Sequence, residues 1–212
     1  MVTPRNAFDQ LVDRYYRDWW RLSPAAGSRA GLYEFDSELE IPGIDWIEQR
    51  RRQLAQAGAA LRSIEVPPSG TLAALDRRTF ESHLSVAELR FNQLQHWRQD
   101  PSGPVTESVD ALFELVMRRD LAKEETAHAI ISRLEKLPAN LHAARDRIDD
   151  PIALWNAVAK QTVPGGIEFV RDAARELSAR HPHRSARVES AAALACTALE
   201  EYGHWVHSLQ ER

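Results

Sequence analysis

The sequence predicts an all-α protein, an irregular antiparallel bundle of about eight or nine helices in a single helical domain over residues 1–212. Three observations carry that reading. Apolar residues recur at spacings of three and four along nearly the whole chain. No stretch alternates as a half-buried strand does. The breaks between periodic segments are short and rich in proline or glycine, which favours antiparallel neighbours.

Each element has its own signal. Thr3-Pro4 reads as an N-cap with proline at the first helical position. The helix it opens has the face Phe8, Leu11, Val12, Tyr15, Trp19 and Leu22. Ser23-Pro24 ends it and starts a short helix to about Gly31, followed by an acidic loop from Leu32 to Gly43. Asp45 is the expected cap of a third helix with the line Ile47, Leu54, Ala57, Leu61 and Ile64. The run 66–70, Val-Pro-Pro-Ser-Gly, breaks the chain. One long helix is expected from Thr71 to Arg98, with the stripe Phe80, Leu84, Ala87, Phe91 and Leu94. After the loop 100–104 comes a shorter helix facing inward with Val109, Leu112, Phe113 and Val116. The next carries Ala127, Ile130, Ile131, Leu134 and Leu137 until Pro138 stops or bends it. Asp150-Pro151 opens another, which Pro164-Gly165-Gly166 must kink or break. His181-Pro182-His183 is a turn. The last helix keeps the line Val188, Ala192, Ala195, Leu199, Tyr202, Val206 and Leu209. It is still periodic at Arg212 and has no capping glycine, which suggests a chain cut from something longer.

Composition narrows the function classes. A chain of 212 residues with 43% hydrophobic and 27% charged residues can bury a core without staples. It has no run of 18 apolar residues, hence no membrane span, and its charged N-terminus lacks the apolar stretch of a signal peptide. The expectation is a cytoplasmic protein. The net charge of -4 gives no attraction to nucleic acid or anionic lipid, and neither is expected as a partner. The run Arg50-Arg51-Arg52 reads as a solvated face, and Trp20, next to the core-facing Trp19, as an edge or partner contact.

The catalytic motifs are missing. There is no H-E-x-x-H, no G-x-S-x-G, no P-loop and no G-x-G-x-x-G. Cys196 sits in an apolar helical run without a nearby cation and reads as a core residue. The sharpest signal is a pair of E-x-x-H motifs, Glu125 with His128 and Glu201 with His204. Ferritin-like di-metal proteins use two such motifs plus a glutamate from each of two further helices, here Glu88 and Glu168. Helical-wheel arithmetic opposes that reading. His204 falls roughly 170° from the apolar line of its helix, and Glu125 roughly 180° from that of its own. His181 and His183 lack a third ligand in sequence and read as a polar turn.

The order of several short motifs resembles a known family. The opening Phe8-Asp9-Gln10-Leu11-Val12-Asp13-Arg14-Tyr15-Tyr16 is followed by Leu22-Ser23-Pro24 and Gly31-Leu32-Tyr33-Glu34-Phe35-Asp36. Further on come Trp97-Arg98-Gln99-Asp100-Pro101 and Arg133-Leu134-Glu135-Lys136-Leu137-Pro138-Ala139-Asn140-Leu141. Together they resemble the N-terminal part of the bacterial domain-of-unknown-function 885 family. Pro24, Gly31, Tyr33, Asp36, Pro101 and Pro138 are its signature positions here, with a structural role expected for each. The resemblance implies a relative of zinc metallopeptidases, which are more than twice as long. Their second half carries a motif of the form H-E-x-x-P-G-H. No position of this chain matches that motif, so zinc is expected only with a missing C-terminal half, and no catalytic or cofactor-binding residue is assigned. The expected role is a non-catalytic helical domain that helps wall a peptide cleft and packs against a catalytic half. The alternatives are a stand-alone module that binds a protein or peptide, and the di-metal protein described above.

Overall fold

The computed structural model describes residues 6–209. They form eight α-helices joined by short turns, with no strand among the described residues. The fold is all-α. By contacts the chain divides into two compact units, Met1–Leu22 with Asp45–His96 and Ser23–Ile44 with Trp97–Arg212. The divisions do not fall at the proline-rich breaks 66–70 and 100–104.

The first unit holds α1 (Ala7–Leu22), α3 (Ile44–Ser63) and α4 (Leu72–Glu88). The expected cap Thr3-Pro4 lies outside the described residues; within them, Asn6 accepts a bond from the Asp9 amide at 2.8 Å and serves as a cap. Asp45 is not the cap of α3, because that helix already begins at Ile44. Thr71 does cap α4, accepting from the Ala74 amide at 3.2 Å. The core is Leu11, Tyr15, Leu54, Ala57, Leu61, Phe80 and Leu84. The Tyr15 and Phe80 rings meet edge to face at 5.3 Å, a favoured aromatic geometry. Trp20 stacks on Tyr16 at 5.7 Å. Arg77 donates to the carbonyls of Leu61 and Ile64 and so covers the end of α3.

The long helix expected over residues 71–98 is interrupted. After Glu88 the backbone widens into a π-turn over Leu89–Leu94, and Gln95 turns left-handed with φ 51°. The wider turn breaks the register of the stripe, so Leu94 is exposed rather than inward.

The second unit holds α2 (Pro24–Arg29), α5 (Gly103–Arg118), α6 (Glu124–Arg147), α7 (Ala153–Arg180) and α8 (Ser185–Ser208). Its core runs through α5 to α8, and the line Val188, Ala192, Ala195, Leu199, Tyr202 and Val206 is buried as the sequence predicts. α8 ends at Ser208, and residues 210–212 lie outside the described part. The inward face of α5 is Val105, Ser108, Ala111, Leu112 and Leu115, while Phe113 is 46% exposed. Periodicity weighted by large apolar residues missed this rotation because Ser108 and Ala111 are small. Ser108 turns inward to donate to the Asn140 side chain at 2.8 Å.

Neither internal proline ends its helix. Pro138 lies within α6 and Pro164 within α7. Each removes one amide donor, a cost of about 3 kcal/mol in an isolated helix. Here the flanking turns are buried, at Leu134, Leu137 and Leu141 in α6 and at Ala159, Val163 and Val170 in α7, and that packing outweighs the loss. Gly166 and Gly203 make room for it. A Cβ on Gly166 would stand 3.0 Å from Val109 Cγ2, and one on Gly203 would stand 3.1 Å from Val163 Cγ1. No described helix is long and apolar enough to cross a membrane.

Candidate functional site

The two E-x-x-H motifs do not converge. Glu125, His128, Glu201 and His204 are all exposed, as are Glu88 and Glu168. The wheel arithmetic therefore placed these side chains on the right faces.

Four of the family-signature positions, Pro24, Gly31, Tyr33 and Asp36, lie in α2 and the loop after it, in the second unit. Pro24 opens α2 and is buried. Gly31 has φ +90°, which favours glycine in the turn after α2. Asp36 is buried and takes two bonds from Arg119, at 2.8 and 3.1 Å, and one from the Ser28 hydroxyl. That bidentate bond lifts the Arg119 guanidinium above its ordinary range. The same guanidinium lies 4.1 Å over the ring of Tyr33. Pro101 is buried, and its carbonyl accepts from the Tyr202 hydroxyl at 2.9 Å. Pro138 sits on α6 next to the residues that hold this loop in place.

Those residues are Arg133 and Asn140, and they continue to Arg147. The three stand seven apart on α6, so they share one face, and that face is the buried one. Arg133 has 0% exposure and donates to the carbonyls of Phe35 at 3.2 Å, Glu38 at 3.0 Å and Ala111. Burial lowers its pKa, while Asp36, Glu40 and Glu114 oppose that shift. Asn140 donates to the Glu40 carbonyl at 2.7 Å. Arg147, lowered by burial, lies in the field of Glu107, Tyr202, Glu40 and Asp100.

Glu107 is the most chemically distinctive group in this polar region. Its side chain is open to solvent, yet protein crowds around it. The crowding pushes its pKa up to about 6; Arg147 and Arg29 oppose the rise, and Glu40 and Asp100 add to it. Glu40, buried near the start of α2, is also raised by burial, and burial likewise lifts the Tyr202 phenol. A carboxyl that exchanges its proton near neutral pH, beside a buried arginine, can hold a polar ligand or relay a proton. Sequence reasoning missed Glu107 and the arginine ladder. The seven-residue spacing on an apolar face was the available signal, but charged residues were counted as surface.

Two further features belong to the second unit. Among the described residues, Glu124, His181 and His183 are the one group of His, Cys, Asp and Glu side chains gathered closely enough to hold a metal ion. The sequence marked the two histidines and missed the glutamate, which lies 57 residues before His181. On the other side, a groove of about 790 Å³ runs between α7 and α8, lined in part by Arg171, Ser178, Cys196 and Glu200. Cys196 is a core residue as expected, but Arg171 stands beside it, contrary to the reading of a site without a cation. Burial still outweighs that cation and lifts the thiol pKa, so Cys196 stays a thiol rather than a nucleophile.

The H-E-x-x-P-G-H motif implied by the family resemblance has no counterpart here. Pro164-Gly165 lies exposed in mid-α7 without a preceding His-Glu.

Comparison with known proteins follows the same lines. The family model described as a bacterial protein of unknown function, DUF885, matches residues 24–212. No curated protein matches the sequence. A solved structure from Shewanella oneidensis, described as "a putative lipoprotein of unknown function", superposes with a TM-score of 0.84 at 19% sequence identity. The match covers 96% of this chain and 38% of that one, so the chain spans well under half the length of the structure it resembles. At that identity the likeness is one of fold.

Proposed function

The chain belongs to the DUF885 family, and from that premise we propose that it is a non-catalytic helical part of a zinc-peptidase-like protein, walling a cleft that takes a peptide. The observation that carries this reading is the fold match. Nearly the whole chain superposes on little more than a third of a longer protein, so in that protein this architecture is one part of a longer chain. It agrees with this reading that no position of the chain carries the H-E-x-x-P-G-H motif of the zinc peptidases the family resembles. Glu107, with Arg147 and Tyr202 close by, supplies a solvent-open acceptor for a peptide amide or terminal ammonium. The acidic net charge of -4 favours peptide or protein over nucleic acid as the partner.

The test is to titrate the purified chain with labelled short peptides by fluorescence anisotropy, and to assay amide hydrolysis with and without added zinc. Binding that weakens at least several-fold in Glu107→Ala, without hydrolysis, is the expected result. Zinc-dependent hydrolysis by this chain would overturn its non-catalytic role. Absence of peptide binding would overturn the cleft. Reading the encoding DNA past codon 212 is a separate check: His-Glu followed by Pro-Gly-His in a continuing or adjacent frame is expected.

A further inference from the structure

We propose that Glu124, His181 and His183 form a binding site for a zinc-class divalent transition-metal ion, joining the start of α6 to the turn between α7 and α8. Glu124 is the first residue of α6, and the two histidines flank Pro182 in the short 3-10 turn Pro182–Arg184. Both rings converge on one carboxylate oxygen. His181 Nδ1 and His183 Nε2 each lie 3.1 Å from Glu124 Oε1. Donor atoms around a tetrahedral zinc stand roughly 3.3 Å apart; each histidine nitrogen already stands at nearly that spacing from the carboxylate oxygen, and all three donor atoms lie within 4.8 Å of one another.

Proton accounting at His181 points the same way. The ring is 3% exposed, and its Nε2 lies 2.7 Å from the Leu121 carbonyl, which can only accept. Nε2 therefore carries a hydrogen. In the neutral ring Nδ1 then carries none, and its lone pair faces the Glu124 oxygen, another acceptor. His181 is 3% exposed and Glu124 is 51% exposed, and two acceptors 3.1 Å apart call for a cation between them, a proton or a metal ion. A metal ion resolves the conflict, because neutral imidazole lone pairs and a carboxylate oxygen are its natural donors. A ring N–H donated to a main-chain carbonyl is also the usual support for a metal-ligating histidine.

Glu124 is prepared for that role. Arg184 donates to its other oxygen, Oε2, at 2.6 Å, which leaves Oε1 to the histidines. The donor set of two imidazoles and one carboxylate selects zinc, cobalt or nickel over calcium and magnesium. Three protein ligands leave a coordination position for water, and the exposed faces of Glu124 and His183 give an ion access from solvent. This proposal does not rest on the peptide-cleft reading.

The test is titration of the chelator-stripped chain with zinc chloride by calorimetry, repeated with cobalt to read the coordination geometry from its spectrum. One zinc per chain at micromolar or tighter affinity is expected, with tetrahedral cobalt absorption. His183→Ala and Glu124→Gln should each weaken binding at least tenfold, and His204→Ala, a change at an exposed histidine elsewhere, should not. Both test positions are exposed, so folding is preserved and circular dichroism checks it. Binding seen only at millimolar zinc, or retained by both variants, overturns the site; His181 and Glu124 would then be a protonated ion pair.

Discussion

Arg50 in the first unit and Arg133 in the second are both buried, at 6% and 0% exposure, and the chain satisfies them in different ways. Arg50 meets side chains. It donates to Gln53 Oε1 at 2.5 Å and to the Tyr15 hydroxyl at 3.1 Å, and its guanidinium lies 3.9 Å over the Trp19 ring. Gln53 in turn donates to the Tyr15 carbonyl at 2.8 Å. Arg133 meets main chain: the carbonyls of Phe35 and Glu38 in one loop and of Ala111 on α5. The difference has a consequence for what each residue holds in place. Side-chain acceptors belong to helices whose own backbone bonds are complete, so Arg50 adds to a pairing of α1 with α3 that apolar packing already favours. The loop keeps only short local bonds, such as that from the Glu38 amide to the Phe35 carbonyl, and Arg133 adds bonds that tie the loop to α6.

This contrast is most sharply tested at Arg133. Arg133→Ala removes three charge-assisted hydrogen bonds, to the carbonyls of Phe35, Glu38 and Ala111, worth about 1.5–3 kcal/mol each before the cost of burying the cation is set against them. A loss of about 3–5 kcal/mol in unfolding free energy is expected. Arg133→Met restores volume without donors and should recover little of it. Hydrogen exchange should speed up over residues 33–41. A loss below about 1 kcal/mol would show that water replaces the guanidinium and that the loop does not depend on it.

Arg50→Ala should cost less, about 2 kcal/mol, from two hydrogen bonds and the stack on Trp19. Arg50→Lys should recover only part, because an ammonium cannot stack and fork at once. Faster exchange should be confined to α1, α3 and α4. A loss equal to that of Arg133→Ala would break the comparison, since side-chain and main-chain acceptors would then be equivalent.

The same two residues mark the limit of what the sequence makes legible. Helix class and most buried lines follow from apolar spacing, because a helix must put its stripe on the core; Leu11 with Tyr15 and the Val188 to Val206 line show it. Arg50 lies in a run of three arginines that reads as a solvated face, and Arg133 in a family motif that says nothing of what its side chain meets. Their acceptors lie 35 residues away for Tyr15 and 98 for Phe35, beyond any local pattern. Glu124 was missed for the same reason, although His181 and His183 were noticed. The continuity of α6 and α7 through proline was illegible for another reason. The local cost of proline is visible in sequence, but the packing that outweighs it is not.

The smallest effect expected is at Glu107, where the second unit leaves a charge less well compensated than either arginine. Its folded pKa of about 6 lies above the ordinary 4.5, so the folded state holds the proton more tightly than the unfolded chain. Below about pH 4.5 the carboxyl is protonated in both states, and its contribution to stability is fully present. As the pH rises through about 6 that contribution is lost, because the folded protein must now carry the charge. The full shift would correspond to about 2 kcal/mol, but the side chain is more than a third exposed, and solvent screening reduces this to under about 1 kcal/mol. Glu107→Gln mimics the protonated form. It should match the parent near pH 4 and exceed it by a few tenths of a kcal/mol at pH 7.5, as read from urea midpoints at a constant m-value. Glu40, also raised by burial, tilts the parent's stability in the same direction, and because both proteins keep it, the difference between them isolates Glu107. A variant less stable than the parent at pH 7.5 would mean that attraction to Arg147 outweighs crowding. Glu107 would then join Arg50 and Arg133 as a compensated charge, and the polar region around α6 would be a structural network rather than a place where a ligand's charge is wanted.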